Sequence, residues 1–331
     1  MSPYYQSTII TLLTLIGSFT NHHIQAVERH DVLVVVGAAG DELYGKRFLE
    51  WANAWRSASE RAKATCHIVG LDQLNKPEDT DKDALHRTIT TAATTSSGPL
   101  WLVLIGHGTY DGRLAKFNLR GPDVAAGELT EWLKDYPRPV VLLNTAPASA
   151  PFLQALSHPG RVIITATKSG NEGNATRFGG FVAEALGNAQ TNAEADLDHD
   201  GQVSVLEIFL SAVHAVELSY KKDGLLATEH PLIDDNGDGR GTRADWFQGV
   251  WATKTAADKA TVDGIRAHQI HLLPSDAERT LSDADRKERD VLENELALLR
   301  AEKKTLSEED YYRRLEIIMV KLAGVYGRVG K

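Results

Sequence analysis

Five short strand-like runs, each closed by a glycine or a small polar turn, limit this chain more than any other feature. Asp31–Val36 (DVLVVV) enters Gly37-Ala-Ala-Gly40, Cys66–Leu71 follows, and Leu100–Ile105 (LWLVLI) stops at Gly106-His-Gly108. Pro139–Leu143 stops at Asn144-Thr-Ala-Pro-Ala-Ser149, and Val162–Ala166 enters the polar loop Thr167–Thr176. Unbroken apolar runs of this length read as strands covered on both faces, the habit of parallel sheets. Between them, Leu43–Arg61 places Tyr44, Phe48, Trp51, Ala52 and Trp55 on one helical face. Asp81–Thr91, Glu128–Leu133 and Ala150–Leu156 also read as helices, Pro151 suiting a first turn. Strands alternating with helices predict a three-layer, doubly wound, mainly parallel α/β sheet, with ligands expected at the strands' carboxyl ends. The glycines after the first strand do not make a nucleotide loop, since neither G-x-G-x-x-G nor G-x-x-x-x-G-K-[ST] is present.

Further along stands Asp196-Leu-Asp-His-Asp-Gly-Gln-Val-Ser-Val-Leu-Glu207. Asp196, Asp198 and Asp200 occupy positions 1, 3 and 5 of a twelve-residue loop, and Gly201 at 6 permits a sharp turn. Gln202 at 7 offers its backbone carbonyl, Ser204 at 9 a hydroxyl or a bridging water, and Glu207 at 12 a bidentate carboxylate. Val203 at 8 faces inward. Helical patterns flank the loop: Arg177–Ala189 with Phe178, Phe181, Val182, Ala185 and Leu186, and Ser204–Tyr220 with Leu206, Phe209, Leu210, Val213 and Val216. The reading is an EF-hand over 177–220, and its oxygen-only ligand set favours Ca²⁺ over a transition metal. Four carboxylates in one turn repel each other unless a cation sits among them.

A second acidic stretch, Asp234-Asp-Asn-Gly-Asp-Gly-Arg-Gly-Thr-Arg-Ala-Asp245, repeats part of the pattern. Asp234, Asn236 and Asp238 stand at 1, 3 and 5, Gly239 at 6, Thr242 at 9 and Asp245 at 12. Gly241 replaces the apolar residue at 8 and no long helix precedes it, so a weaker second calcium site and a plain glycine turn both stay open.

The formal charge of -9, with no basic stripe, argues against a nucleic-acid partner. Met1–Ala26 reads as a secretory signal with the apolar core Thr8–Phe19, which is too short to span a bilayer as an ordinary helix. Its first residues lack Lys and Arg, which keeps a buried N-terminal helix open as the alternative. Cys66 is the only cysteine, so no internal disulfide forms, and it reads as a small buried hydrophobe. The expected location is secreted or periplasmic, with no transmembrane segment once the signal is removed. The α/β body is expected over 27–274. From Ser275 the composition turns charged and helical: Ser282–Lys303 aligns Val291, Leu292, Glu295, Leu296 and Leu299, and the helix from Ser307 aligns Tyr311, Leu315, Ile318, Met319, Leu322 and Tyr326. A short Thr305-Leu306 connection predicts an antiparallel helical hairpin over 275–331, able to dock on the body or to pair with another copy.

Leu104-Ile-Gly-His-Gly108 at one strand end, followed by a small-residue turn at the next, resembles the caspase/legumain-like cysteine peptidases across roughly Val32–Leu218. The resemblance implies that His107 stands where that family keeps its general base. It places the family's nucleophilic Cys at Pro147, or at Ala146 after a one-residue slide, and neither residue can attack a carbonyl. A vestigial site is therefore expected, rimmed by His107, Thr109, Tyr110, Asn144 and Ser149, with Arg120, Lys168 and Arg177 as contacts for an anionic group. Three functional classes follow. One is an exported calcium-binding protein on an inactive peptidase-like body that binds a peptide or protein. The second is a hydrolase using His107 with Ser149 or Thr145, and the third a structural or assembly protein that oligomerises through its hairpin.

Overall fold

The computed structural model describes residues 29–71, 79–187, 193–255 and 261–328; the expected signal Met1–Ala26 lies outside the described residues. Strand β1 (Asp31–Val36) leads through α1 (Glu42–Ala62) to β2 (Thr65–Val69), then through α2 (Asp81–Thr95) to β3 (Leu100–Ile105). A small antiparallel sheet of β4 (Gly108–Tyr110), β5 (Ala115–Phe117) and β6 (Val124–Ala125) follows. The chain continues through α3 (Ala126–Leu133), β7 (Val140–Asn144), α4 (Ala150–Leu156), β8 (Arg161–Thr165), α5 (Phe178–Ala185) and α6 (Val205–Lys222). Next come β9 (Leu232–Asp234), β10 (Thr242–Arg243) and the hairpin β11 (Phe247–Gln248) with β12 (Trp251–Ala252). Four helices close the chain: α7 (Ile265–Gln269), α8 (Asp276–Thr280), α9 (Asp283–Glu302) and α10 (Glu308–Tyr326).

Among the described residues the main sheet has seven strands, in the order β10-β9-β8-β7-β3-β1-β2. β2, β1, β3, β7 and β8 are mutually parallel, whereas β9 and β10 add antiparallel pairs at one edge. Side-chain alternation decides the layers. Val32, Val34 and Val36 of β1 and Trp101, Val103 and Ile105 of β3 face α1, α5 and α6, whose Trp55, Phe178 and Phe209 complete that core. Leu33 and Val35, with Leu100, Leu102 and Leu104, face α2, α3 and α4 through Leu85, Ile89, Leu129 and Phe152. The fold is thus a three-layer, doubly wound α/β sheet, as the apolar runs predict.

Helices α9 and α10 run antiparallel: Arg328, just past α10, pairs with Asp285 and Glu288 in the first turns of α9. Their own core holds Leu292, Leu296, Leu299, Tyr311, Ile318, Leu322 and Val325. Among the described residues no helix is long and apolar enough to cross a membrane.

Candidate functional site

Parallel strands carry their C-terminal ends to one edge of the sheet, and there β3 delivers His107 and β7 delivers the turn 145–149. A methyl group built on Gly108 would lie 2.4 Å from the Pro147 carbonyl oxygen, so the two strand ends abut closely enough that only glycine fits. Ala148 holds φ +52 and donates its N–H to the Glu172 carbonyl at 2.8 Å. His107 and the positions the resemblance assigns to a nucleophile, Ala146 and Pro147, therefore meet at this edge.

The side chains there are engaged structurally. His107 Nε2 lies 3.1 Å from the Ala39 carbonyl oxygen, which can only accept, so Nε2 is the donor in this contact. Tyr44 and Phe48 hold the imidazole edge-on at 4.7 and 5.4 Å. Thr145 Oγ1 donates to the Leu104 carbonyl at 2.8 Å. Ser149 is buried, with Oγ 3.1 Å from Thr167 Oγ1 and accepting the Thr167 N–H at 3.2 Å. Asn144 Oδ1 accepts the Ala146 N–H at 3.1 Å, Thr109 Oγ1 donates to Asn118 Oδ1 at 3.3 Å, and the Tyr110 ring lies on the backbone of Gly170.

The basic trio expected around this pocket does not converge. Arg120 forks onto buried Asp81 at the start of α2, at 2.7 and 2.9 Å. Arg177 ties α5 to α6 through Ser219 and Asp223, both at 2.6 Å, while covering the Tyr220 ring at 4.2 Å. Lys168 Nζ stays 3.8 Å from Glu172 Oε1, which also lies 2.6 Å from His230 Nδ1. A charge beside a glycine-rich loop resembles a ligand contact in sequence; Arg120 and Arg177 instead meet partners some forty residues away, which no local pattern marks.

The acidic loop 196–207 is closed more tightly. Gly201 turns at φ +87, and Asp196 accepts the N–H groups of Asp200 and Gly201 at 3.1 and 3.0 Å. Ser204 caps α6 by accepting the Glu207 N–H at 3.2 Å, while Glu207 Oε2 accepts the Ser204 N–H and hydroxyl, both at 2.8 Å. Glu207 Oε1 takes the N–H groups of Leu197 and Asp198, which turns this position-12 carboxylate into the loop. Oxygens of Asp196, Asp198 and Glu207 consequently lie within 4.8 Å of one another. Asp200 faces Gln202, accepting its backbone N–H at 3.0 Å and its side-chain amide at 2.9 Å. The Gln202 side chain reaches the other way as well, accepting the Ser275 N–H at 3.0 Å.

Electrostatics follow the packing. Burial, with Asp198 and Asp196 nearby, pushes the Asp200 carboxyl up, and burial does the same to Glu207 beside Asp198. Asp198 is held down by the His268 ring, whose Nε2 lies 2.9 Å from Oδ2. The helix expected to enter the loop over Arg177–Ala189 is shorter: α5 ends at Ala185, and a separate helical turn at 193–195 precedes Asp196. The end of the expected span, at Ala189, falls outside the described residues. The exit helix runs from Val205 to Lys222.

The second acidic stretch joins β9 to β10 and wraps its first half alike. Asp234 accepts the Gly239 N–H at 3.0 Å, as Asp196 does from Gly201, and Asn236 accepts the Asp238 N–H at 2.8 Å. Its second half departs. Asp245 turns away to Arg243 at 2.9 Å, and Thr242 Oγ1 donates to Asp263 at 2.6 Å. Asp263 was not singled out by the sequence reading; no local spacing marks it, because it arrives from the segment before α7. It is buried beside Asp235 and Asp234, and burial together with Asp235 pushes its carboxyl up to about 8.

No family model matches this chain, and no curated protein does. Among solved structures it is similar to the Drosophila initiator caspase Dronc, at 13% identity and a TM-score of 0.42 over 74% of this chain and 97% of that one. It is also similar to caspase-1 from Spodoptera frugiperda, at 10% identity and a TM-score of 0.39 over 63% and 87%. At such identities the likeness concerns the path of the chain alone.

Proposed function

We propose that this chain is an exported calcium-binding protein, and that the strand-end cleft of its α/β body binds a peptide or protein without cleaving it. The observation that carries the first part is the convergence of Asp196, Asp198 and Glu207 oxygens within 4.8 Å. Held together at this range, three carboxylates repel strongly, and a hard cation turns the repulsion into binding energy. The loop spacing offers Asp200, which here turns to Gln202, the Gln202 carbonyl and Ser204 as further oxygen donors. Affinity of about 10⁻⁴–10⁻³ M, the range of extracellular modules, suits a structural ion. Titrating the pure protein with calcium chloride in a calorimeter is expected to give saturable heat that Glu207→Gln lowers by about tenfold or more in affinity. No heat, or a variant indistinguishable from the parent, rejects the site. For the second loop the shared Asp234–Gly239 turn supports a weaker ion, and the outward Asp245 counts against it.

The cleft reading rests on what stands where an attacking atom is required. Ala146 and Pro147 carry none, and the Thr145 and Ser149 hydroxyls are buried and hydrogen-bonded. The competing hydrolase reading draws on one observation, the placement of His107 at abutting strand ends with only its Nε2 tied to the Ala39 carbonyl. An electrophilic peptide probe separates the two. We expect no covalent label on Thr145 or Ser149; mass-mapped label on either, lost in His107→Ala, establishes the hydrolase instead. The assembly reading draws on the exposed Ile317, Met319 and Val320 of α10, and concentration-dependent association would support it.

A further inference from the structure

Between the β11–β12 hairpin, α7 and the last turns of α9 lies a cavity of about 610 Å³, which holds neither His107 nor any residue of the acidic loop in its lining and touches that loop through His268. Its walls differ in kind. At the inner end the polar groups are served by protein partners: His268 by Asp198, Asp263 by Thr242, and Glu293 by Gln269 at 3.1 Å. At the mouth stand Arg300 from α9, Lys303 and Lys304 just past its end, and Lys254 from beyond β12. None of these four cations has a carboxylate partner among the described residues. Elsewhere Arg138, Arg177, Arg289 and Arg328 each pair with a carboxylate. Arg300 instead lies over the Trp251 ring at 3.7 Å, and Lys254 approaches Trp246 at 5.9 Å.

A helix C-terminus favours cations, which accounts for Lys303 and Lys304 without any ligand. It does not account for Lys254, which comes from another element, nor for Arg300, whose head lies flat on Trp251. A stacked guanidinium keeps its edge N–H groups free to fork onto an oxyanion while the ring fixes its plane. Val250, Ile265 and Ala297 add apolar wall beside the indole.

We propose that this cavity is a binding site for a small organic oxyanion, a carboxylate or phosphate carried on an apolar or aromatic body. Arg300 receives the anionic group in bidentate fashion, Lys254 and Lys303 add charge at the mouth, and the body lies along Trp251. On a protein of formal charge -9 such a local basic mouth draws anions that the rest of the surface repels.

The test uses the full calcium-loaded chain, titrated separately with phenyl phosphate and with benzoate at fixed ionic strength. Binding is read by calorimetry and by the indole N–H resonance of Trp251, which is assigned by its loss in Trp251→Phe. Saturable binding of at least one probe with movement of that resonance is expected; phenyl phosphate alone identifies a phosphoryl ligand, benzoate alone a carboxylate. Arg300→Gln, at an exposed position, is expected to weaken binding about tenfold or more. Lys46→Gln, which removes an exposed charge paired only along α1, is expected to change it less than about twofold. No saturation by either probe, or equal affinity in Arg300→Gln, overturns the proposal. The parent protein stripped with a chelator is titrated alongside, so that failure of the oxyanion site is read separately from failure of the acidic loop to bind calcium.

Discussion

His30 shows how one side chain couples a strand end to solution conditions. Its Nδ1 accepts the indole N–H of Trp101 at 3.1 Å, an arrangement only the unprotonated ring allows on that nitrogen. Burial, reinforced by the Arg138 charge nearby, depresses its pKa from 6.5 to about 4. The unfolded chain therefore binds a proton that the folded one refuses between those values. The sign follows: stability is intact above about pH 6.5 and is lost as pH falls from there towards 4. His30→Gln keeps an acceptor for Trp101 and removes the titration. Urea unfolding at pH 7, 6 and 5 is expected to show a shallower acid decline in the variant; an unchanged decline assigns the loss to other groups. At this scale the sequence was readable only in part. His107 could be placed at a strand end from the glycines around it, but its tether to the Ala39 carbonyl depends on β1 and β3 being neighbours, which no local pattern states. Asp196 and Glu207 were readable because their roles are set by spacing within one loop.

At the scale of elements, the acidic loop is fastened to the segment that leads into the helical hairpin. Asp198 meets His268, Val205 donates its N–H to the Ile270 carbonyl at 2.9 Å, Ser204 bridges His271, and the Gln202 side chain holds the Ser275 N–H. Gln269 then donates to the Asp290 carbonyl within α9 at 3.0 Å. If the loop binds an ion as proposed, its ordering is passed to the root of the hairpin through these four attachments. Hydrogen exchange with and without calcium is expected to show protection rising about tenfold over 268–275 and in the middle of α9, as well as over 196–207. Gln202→Ala should cut the distal part while leaving the loop's own response. A calcium effect confined to 196–207 would show that the two are energetically separate. Helices α9 and α10 were visible in their apolar spacing, and Ser282 and Ser307 cap them as that spacing predicts. Strands β9 and β10, at three and two residues, are too short for any periodicity to register, so the antiparallel edge and the wrap of the second loop around it were not.

For the molecule as a whole, the question is where its negative charge is stored. Asp234, Asp235 and Asp263 are all buried, at 1%, 5% and 2% exposure, in one cluster behind β9. Asp235 accepts the N–H groups of Gly264 and Ala267 at 2.9 and 2.8 Å, and Asp263 accepts those of Asp235 and Asn236 at 3.0 and 3.2 Å. These bonds hold the loop before α7 against the sheet edge, at the cost of crowding acids. Burial and the charge of Asp235 raise Asp263 from 3.8 to about 8, so over that interval the folded state holds a proton the unfolded state has released. A raised carboxyl means stability falling as pH climbs, the reverse of His30. The two trends together place maximal stability in the mildly acidic range. Asp263→Asn retains an acceptor for the two backbone N–H groups, and the Thr242 hydroxyl can rotate to accept from the new amide. The variant is expected to lose the decline between pH 5 and pH 8, and so to be the more stable protein at pH 8, as measured by urea unfolding in a chelating buffer. If parent and variant keep the same slope across that range, the buried acids share their proton with another group, and the sheet edge owes its hold to packing instead of to this cluster.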